Sequence, residues 1–299
     1  MTGREPVDAF LYYIEYNRDY SSRTIKAYSS DLKQFRQFMT DKGIDVLSTE
    51  PFHIRAFMAY LNDRSVSKRT VSRKIATLKS FFKYLLKNEI IETNPLSLIK
   101  TPGYEKKLPE FLSVEVMREL LSAFNTDKFT GKRDKMIFEI LYATGMRSNE
   151  MLSLKADDID LKGFIIRIRY GKGGKERLVP FNRFAADAIT AYLAARPSVN
   201  PSTDYLIVSV RGRHLTNRDL RRIVKKHLKR FAVVRKMSPH TMRHTFATHM
   251  LDRGADIRAV QELLGHSSIA STQIYTHTTV EKLKEVYSNS HPLEKGNKD

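Results

Sequence analysis

The chain of 299 residues contains no cysteine. This excludes disulfide bridges, thiolate zinc sites and a cysteine nucleophile, and leaves the compartment open. No apolar run is long enough to cross a bilayer, and the first residues, MTGREPVDAF, lack the basic-then-apolar layout of a secretory signal. A cytoplasmic protein with no membrane partner is the expectation. Acidic residues are scarce: 33 Asp and Glu face 52 Lys and Arg, for a net charge of +19 and a sequence pI of about 9.9. An excess of this size calls for a polyanionic partner, although a ribosomal or membrane-surface protein would share the composition. Two cofactor patterns are missing as well. The GKGGK stretch at 171–175 is not followed by Ser or Thr, so the ATP-type phosphate loop is absent. His240 and His244 stand four apart, as zinc ligands on one helix do, but no carboxylate lies between them. No nucleotide, metal or other cofactor is expected, and the chemistry must come from side chains.

What is present divides into two parts. The length and a hydrophobic content of 41% suit two domains with proper cores. Both parts are basic, at +6 for residues 1–100 and +13 for the remainder, so both are expected to touch the polyanion. Residues 1–100 read as a helical bundle. Apolar spacing predicts a helix over Pro6–Tyr16 and a second capped by Ser21 and Ser22, with Ile25, Tyr28, Leu32, Phe35 and Phe38 on one stripe. A third follows Pro51, and a fourth runs from Ser67 to about Leu86. On the fourth, Val71, Ile75, Leu78, Phe82 and Leu85 form a dry stripe and leave Lys68, Arg69, Arg73, Lys74 and Lys79 for a wet, basic face. Such a face is either merely solvated or applied to a nucleic acid. Asn94-Pro95 ends the bundle. Residues 101–109, rich in Pro and Lys and without periodicity, read as an interdomain linker.

Residues 110–299 mix helices with a small β element, so the whole is expected to be mainly α with a small β-sheet. Ser113 caps one helix, and Lys132–Thr144 forms another that breaks at Gly145. In ATGMRSNEML, Arg147 and Glu150 lie three apart, so on a helix the carboxylate can orient the guanidinium toward a phosphate oxygen. A plain surface ion pair is the other possibility. GFIIRIRY, GKGGK and ERLVPF together predict a β-hairpin with Lys172 at its tip and Lys175 beside it. From Arg211 to Lys236 there are eleven Lys and Arg and a single acidic residue, Asp219. Thr216 and Asp219 make a capping box, after which Leu220, Ile223, Val224, Leu228 and Phe231 form a core stripe. Arg218, Arg221, Arg222 and Lys225 fall on the opposite face, which suits the phosphates or the major groove of DNA.

The segment from Ser238 to His277 carries most of the chemistry. Pro239 opens a helix bearing His240 and Arg243, a second helix ends at Gly265 and leaves His266 beyond it, and Tyr275 follows nine residues later. Displacement at phosphorus loads charge on the non-bridging oxygens, and a guanidinium fork such as that of Arg243 meets it bidentately. A phenol of pKa about 10 is a poor nucleophile near neutrality, but cations gathered around a phosphate favour its anion. Tyr275 is therefore the candidate nucleophile. Beyond it, Val280, Leu283, Val286 and Tyr287 form one apolar stripe on a last helix, which must be covered either in cis by its own domain or by a neighbouring subunit, with disorder expected from about His291.

The arrangement H-x-x-R at 240–243, L-L-G-H at 263–266 and Q-I-Y-T-H at 273–277 resembles the tyrosine recombinase (phage integrase) family, most of all its XerC/XerD type. The resemblance covers nearly the whole chain. It implies an N-terminal helical core-binding (SAM-like) domain at 1–100 that closes on DNA and an α+β catalytic domain at 110–299. It further implies Arg147 as the first catalytic arginine, with Glu150 beside it. Lys172 is then the mobile lysine that protonates the leaving 5′ oxygen, with Lys175 as the nearby alternative. Arg243 and His266 become phosphate ligands, His240 a proton acceptor or further ligand, and Tyr275 the nucleophile. The implied function is site-specific recombination of double-stranded DNA through a 3′-phosphotyrosine and a Holliday junction, such as chromosome or plasmid dimer resolution at a dif-like site. The partners would be a homo- or heterotetramer joined by cyclic exchange of the helix at about 279–290, and an FtsK-type translocase. A transposon or phage integrase, a type IB topoisomerase and a non-catalytic architectural DNA binder are the alternatives.

Overall fold

The structure, a computed structural model, describes residues 5–16, 20, 22–103, 111–169, 176–231, 237–265 and 277–294, with the backbone alone for 23 and 277–279. The chain forms two compact units, Met1–Lys107 and Leu108–Asp299, and the division falls inside the proline- and lysine-rich segment.

Among its described residues the first unit contains four α-helices, α1 (Pro6–Tyr16), α2 (Ser22–Thr40), α3 (Pro51–Asp63) and α4 (Lys68–Lys87). Ser67 caps α4, its hydroxyl accepting from the Thr70 N–H. The core is aromatic: Phe10 meets Phe81 edge-on, and Phe35 does the same with Phe57 and Phe82. Rings pack this way because the positive edge of one faces the negative face of the next. Leu96 and Ile99 are buried in the same core, so the bundle extends past Pro95 to the end of its last turn.

The second unit is built around α6 (Phe129–Thr144), which begins three residues earlier than periodicity suggests, with Lys128 as its N-cap. Eleven consecutive or near-consecutive positions from Arg133 to Thr144 are buried, as a helix covered on all sides requires. Around it lie α5 (Val114–Ser122), α8 (Arg183–Ala195) and α10 (Pro239–Asp252). The expected hairpin is present as β2 (Ile165–Ile168) and β3 (Arg177–Pro180), paired antiparallel with Ile166 opposite Val179 and Ile168 opposite Arg177. A short strand absent from the sequence-based expectation, β1 (Ile159–Asp160), pairs with β2 to make the order β1-β2-β3. Two residues are too few to show alternation. Also present are α7 (Ser148–Ser153), α9 (Asn217–Leu228) and α11 (Ile257–Leu264).

The last helix, α12 (His277–Ser290), packs in cis against β3, α10 and α11, and buries Leu283 and Tyr287 in the core of the second unit. Within the single chain, Leu283, Val286 and Tyr287 of the apolar stripe are thus covered by the chain's own domain. Order also continues past the expected limit at His291. That imidazole is buried, stacks on Tyr287 with ring centroids 4.8 Å apart, and lies 5.1 Å from the Tyr142 ring. Burial among aromatic rings pushes its pKa down to about 3 and keeps it neutral.

Candidate active site and nucleic-acid interface

Three arginines and one glutamate come together where α6, α7, α10 and α11 meet β3. Gly145 ends α6 in the left-handed conformation at φ +58, with its N–H bonded back to the Leu141 carbonyl at 3.0 Å. A Cβ there would stand 2.4 Å from the Phe246 ring and 2.7 Å from Leu264, so both conformation and packing require glycine. The chain then turns at Arg147, whose extended backbone forms the N-cap of α7. Glu150, in the first turn of that helix, accepts from the Arg147 backbone N–H at 2.7 Å and from its Nη1 at 2.9 Å. This is the expected Arg147–Glu150 pair, and it is not a surface pair: Glu150 is only 2% exposed.

A second fork closes on the same carboxylate. Arg177, the first residue of β3, donates from Nη1 and Nη2 to the two Glu150 oxygens at 2.9 and 2.8 Å. Burial alone would raise the Glu150 pKa, but the hydrogen bonds and charge of Arg177, then the hydrogen bonds of Arg147, outweigh it and bring it to about 2.

The end of α11 supplies the other half of the frame. Helix termini leave their last carbonyls without partners inside the helix, at the negative end of the helix dipole. Here three consecutive carbonyls each take a guanidinium. The Leu263 oxygen accepts from Arg177 Nε at 3.2 Å, the Leu264 oxygen from Arg243 Nη2 at 2.8 Å, and the Gly265 oxygen from Arg147 Nη2 at 3.0 Å. Arg243 also donates from Nη1 to the Gly145 carbonyl at 2.8 Å, which ties α10 to the end of α6. Desolvation, followed by repulsion from Arg147 and opposed by Glu150, lowers the Arg243 pKa to about 10, so it stays protonated near neutrality. Arg147 and Arg243 are each partly exposed. Two cations held to fixed carbonyls and still open to solvent have the chemistry to receive a tetrahedral oxyanion.

His240 lies in the first turn of α10, one turn ahead of Arg243, and is exposed. Lys172, Lys175, His266 and Tyr275 lie outside the described residues. The base of the hairpin carrying the two lysines is braced by ion pairs of Arg169 with Asp158 and of Arg167 with Glu176, the latter at 3.3 Å. Among the described residues no group of three His, Asp or Glu is placed to hold a metal ion.

The basic faces are largely where periodicity puts them. On α9, Leu220, Ile223, Val224 and Leu228 are buried while Arg218, Arg221, Arg222 and Lys225 are exposed. Thr216 caps the helix through its hydroxyl and Asp219 closes the box. On α4, Lys68, Arg69 and Arg73 are exposed. Lys74 corrects the expectation of a solvated face: it is buried, with Nζ 2.8 Å from Asp31 Oδ1. Asp31 also accepts from Arg73 and Thr77, and a buried ammonium is tolerated only with such a partner.

Two participants escaped the sequence reading, Arg177 and Asp31. For Arg177 a signal exists. In a strand, positions two apart share a face, and Arg177 shares one with the buried Val179, so an arginine stands where an apolar residue belongs. Nothing comparable marks Asp31, an acidic residue on a helix of mixed composition.

Comparison with known proteins places this geometry in a family. Residues 110–282 match the phage integrase family, and residues 7–89 match its N-terminal SAM-like domain. A tyrosine recombinase XerC from Thermodesulfovibrio yellowstonii is 42% identical over 292 residues, covering 96% of each chain. One from Staphylococcus saprophyticus is 40% identical over 288 residues, covering 96% of this chain and 97% of the relative. Among solved structures, a XerH site-specific recombinase bound to a palindromic difH substrate after cleavage aligns with a TM-score of 0.72 at 26% identity, over 94% of this chain and 84% of that one. A Tn1549 transposon integrase on DNA shares the fold at a TM-score of 0.72 and 18% identity, over 94% of this chain and 99% of its own. With both family domains matched and relatives of 40% and 42% identity along nearly its full length, the chain belongs to the phage integrase family and is a tyrosine site-specific recombinase.

Proposed function

We propose that the chain cuts and rejoins double-stranded DNA at a specific site, with Tyr275 as nucleophile. The observation that carries this is the fixing of Arg147 and Arg243 to the carbonyls of Gly145, Leu264 and Gly265, with both guanidinium groups still partly exposed. The Tyr275 oxygen forms a bond to phosphorus as the bond to the 5′ oxygen breaks. The phenolic proton passes to His240 or to solvent. Lys172, or Lys175 beside it, protonates the departing oxygen, because an alkoxide is a poor leaving group. Arg147, Arg243 and His266 bind the non-bridging oxygens in the transition state. A 3′-phosphotyrosine and a free 5′ hydroxyl result, and attack by a partner strand's hydroxyl reverses the step. Bond energy is kept in the covalent link, so the reaction as written calls for no ATP, metal or other cofactor.

Residues 1–100 act in this scheme as the core-binding domain, 101–109 as the linker and 110–299 as the catalytic domain. Lys68, Arg69 and Arg73 of α4 and Arg218, Arg221, Arg222 and Lys225 of α9 contact DNA. Lys74, buried against Asp31, is left out of that contact. Two strand exchanges through a Holliday junction, in a tetramer with α12 exchanged between subunits, would resolve chromosome or plasmid dimers at a dif-like site, with an FtsK-type translocase as activator. The likeness to a recombinase on its difH substrate and to XerC relatives supports this assignment, as does a net charge of +19, which suits action on the nucleoid in the cytoplasm.

The test is covalent capture. Purified protein is mixed with sheared genomic DNA in EDTA, denatured, and the attached DNA is sequenced, with Tyr275→Phe alongside. Attachment that requires Tyr275 and maps to one locus is the expected result. Scattered attachment would replace the proposal with a topoisomerase-like activity. Attachment by neither protein, alone or in cell extract, would leave only DNA binding.

A further inference from the structure

Arg177 differs from the other two arginines of the cluster in being buried away from any ligand. It is 5% exposed, and all three guanidinium nitrogens are engaged, Nη1 and Nη2 with Glu150 and Nε with the Leu263 carbonyl. It therefore touches no phosphate. Its partners, however, are the groups that hold Arg147 and Arg243. Glu150 carries Arg147, and the two carbonyls after Leu263 carry Arg243 and Arg147 in turn.

Arg177 is also the point where the hairpin returns into the domain, paired with Ile168 across the ladder. One guanidinium thus joins the root of the hairpin to the start of α7 and the end of α11. Gly265 is fitted to it: a Cβ there would stand 2.9 Å from the Arg177 guanidinium carbon, at a backbone φ of +66. The charge balance matters as well. Three guanidinium groups and one carboxylate leave the cluster at +2, and without Arg177 the Glu150 carboxylate would be hydrogen-bonded to Arg147 alone of the two remaining guanidinium groups. A lysine supplies one point charge and cannot span two carboxylate oxygens and a carbonyl in a single plane.

We infer that Arg177 is a positioning residue for strand cleavage: by saturating Glu150 and the Leu263 carbonyl it holds Arg147 and Arg243 in the geometry that meets the phosphate. It also makes that geometry depend on the register of the hairpin root. The functional consequence rests on the phosphotyrosine chemistry proposed above; the geometric consequence does not.

Full-length Arg177→Lys and Arg177→Met are compared with wild type, after circular dichroism has shown each to be folded at the working temperature. Guanidinium NMR signals of Arg147 and Arg243, assigned through Arg147→Lys and Arg243→Lys, report the geometry. In wild type both are expected to show hindered rotation and slow hydrogen exchange. In Arg177→Met exchange should quicken about 10-fold or more, with Arg177→Lys between the two; if the methionine variant does not fold, the lysine variant decides. Unchanged Arg147 and Arg243 signals in a folded variant overturn the inference.

The functional arm uses a nicked duplex of the captured locus under single turnover. The rate constant for covalent attachment should fall on the order of 10²-fold in Arg177→Met, comparable to loss of one oxyanion donor, and about 10-fold in Arg177→Lys. The Kd for that duplex and the final amplitude of attached protein should hold within about threefold of wild type. A purely architectural residue would give the opposite split, with amplitude falling in step with the unfolded fraction and the rate constant unmoved. That result would overturn the assignment. Absence of Tyr275-dependent attachment in wild type would instead defeat the proposed chemistry and leave the NMR comparison to decide positioning.

Discussion

Replacing Glu150 with glutamine removes the anion that two guanidinium groups share. Its carboxyl falls from an ordinary 4.5 to about 2 in the folded chain, because Arg177 and Arg147 together outweigh a burial that would raise it. A difference of about 2.5 units corresponds to about 3 kcal/mol. The cost of leaving a buried arginine without its counter-charge is similar, at about 3–5 kcal/mol. The sign follows from the depressed folded value. The carboxylate's contribution is present in full above its unfolded pKa and is lost as the pH falls from about 4.5 toward 2. Wild type and Glu150→Gln are to be melted in parallel by scanning calorimetry from pH 7 down to the lowest pH at which both fold. For a unit the size of Leu108–Asp299, about 3 kcal/mol lowers Tm by roughly 6–12 °C. That gap is expected at pH 7, unchanged at pH 5, and narrowing below pH 4.5. Other carboxyl groups titrate in both proteins and cancel in the difference. A gap under 2 °C at pH 7, or one that does not narrow on acidification, would refute the claim that Glu150 is the charge-bearing centre of the site.

Two further perturbations follow from buried charges elsewhere. Asp31→Ala leaves Lys74 buried without its partner and should destabilise the first unit by about 3–5 kcal/mol, read by urea denaturation, while Asp31→Ala/Lys74→Met should recover most of the loss; no recovery would mean that the pair is not what holds α2 to α4. Glu139 is buried on α6, and desolvation, with Asp187 adding and Lys135 opposing, raises its pKa to about 7. A raised folded value makes the carboxyl's contribution complete below about 4.5 and lost as pH rises through about 7. Glu139→Gln should therefore leave Tm unchanged at pH 4 and raise it at pH 8, by up to about 3 kcal/mol in stability; a variant no more stable than wild type at pH 8 would contradict the burial argument.

Much of the local architecture follows from the sequence alone, because it depends on residues a few positions apart. Ser67, Ser113 and Thr216 each cap the helix that follows. Gly145 and Gly265 each end one in the left-handed conformation. The dry and basic faces of α9 are a matter of period alone, and Arg147 with Glu150 needs only one helical turn to meet.

Tertiary structure decided everything that depends on a distant partner. Lys74 finds Asp31 across 43 positions, Arg177 finds Glu150 across 27, and Arg147 reaches the Gly265 carbonyl across 118. A charged residue has the same identity in a sequence whether it faces water or a buried counter-charge, so period placed Lys74 on the wet face of α4 and left Arg177 unremarked. The stripe on α12 likewise says that the helix must be covered, but hydrophobic burial has no direction and does not name the surface. Packing against β3, α10 and α11 supplies that surface within the same domain.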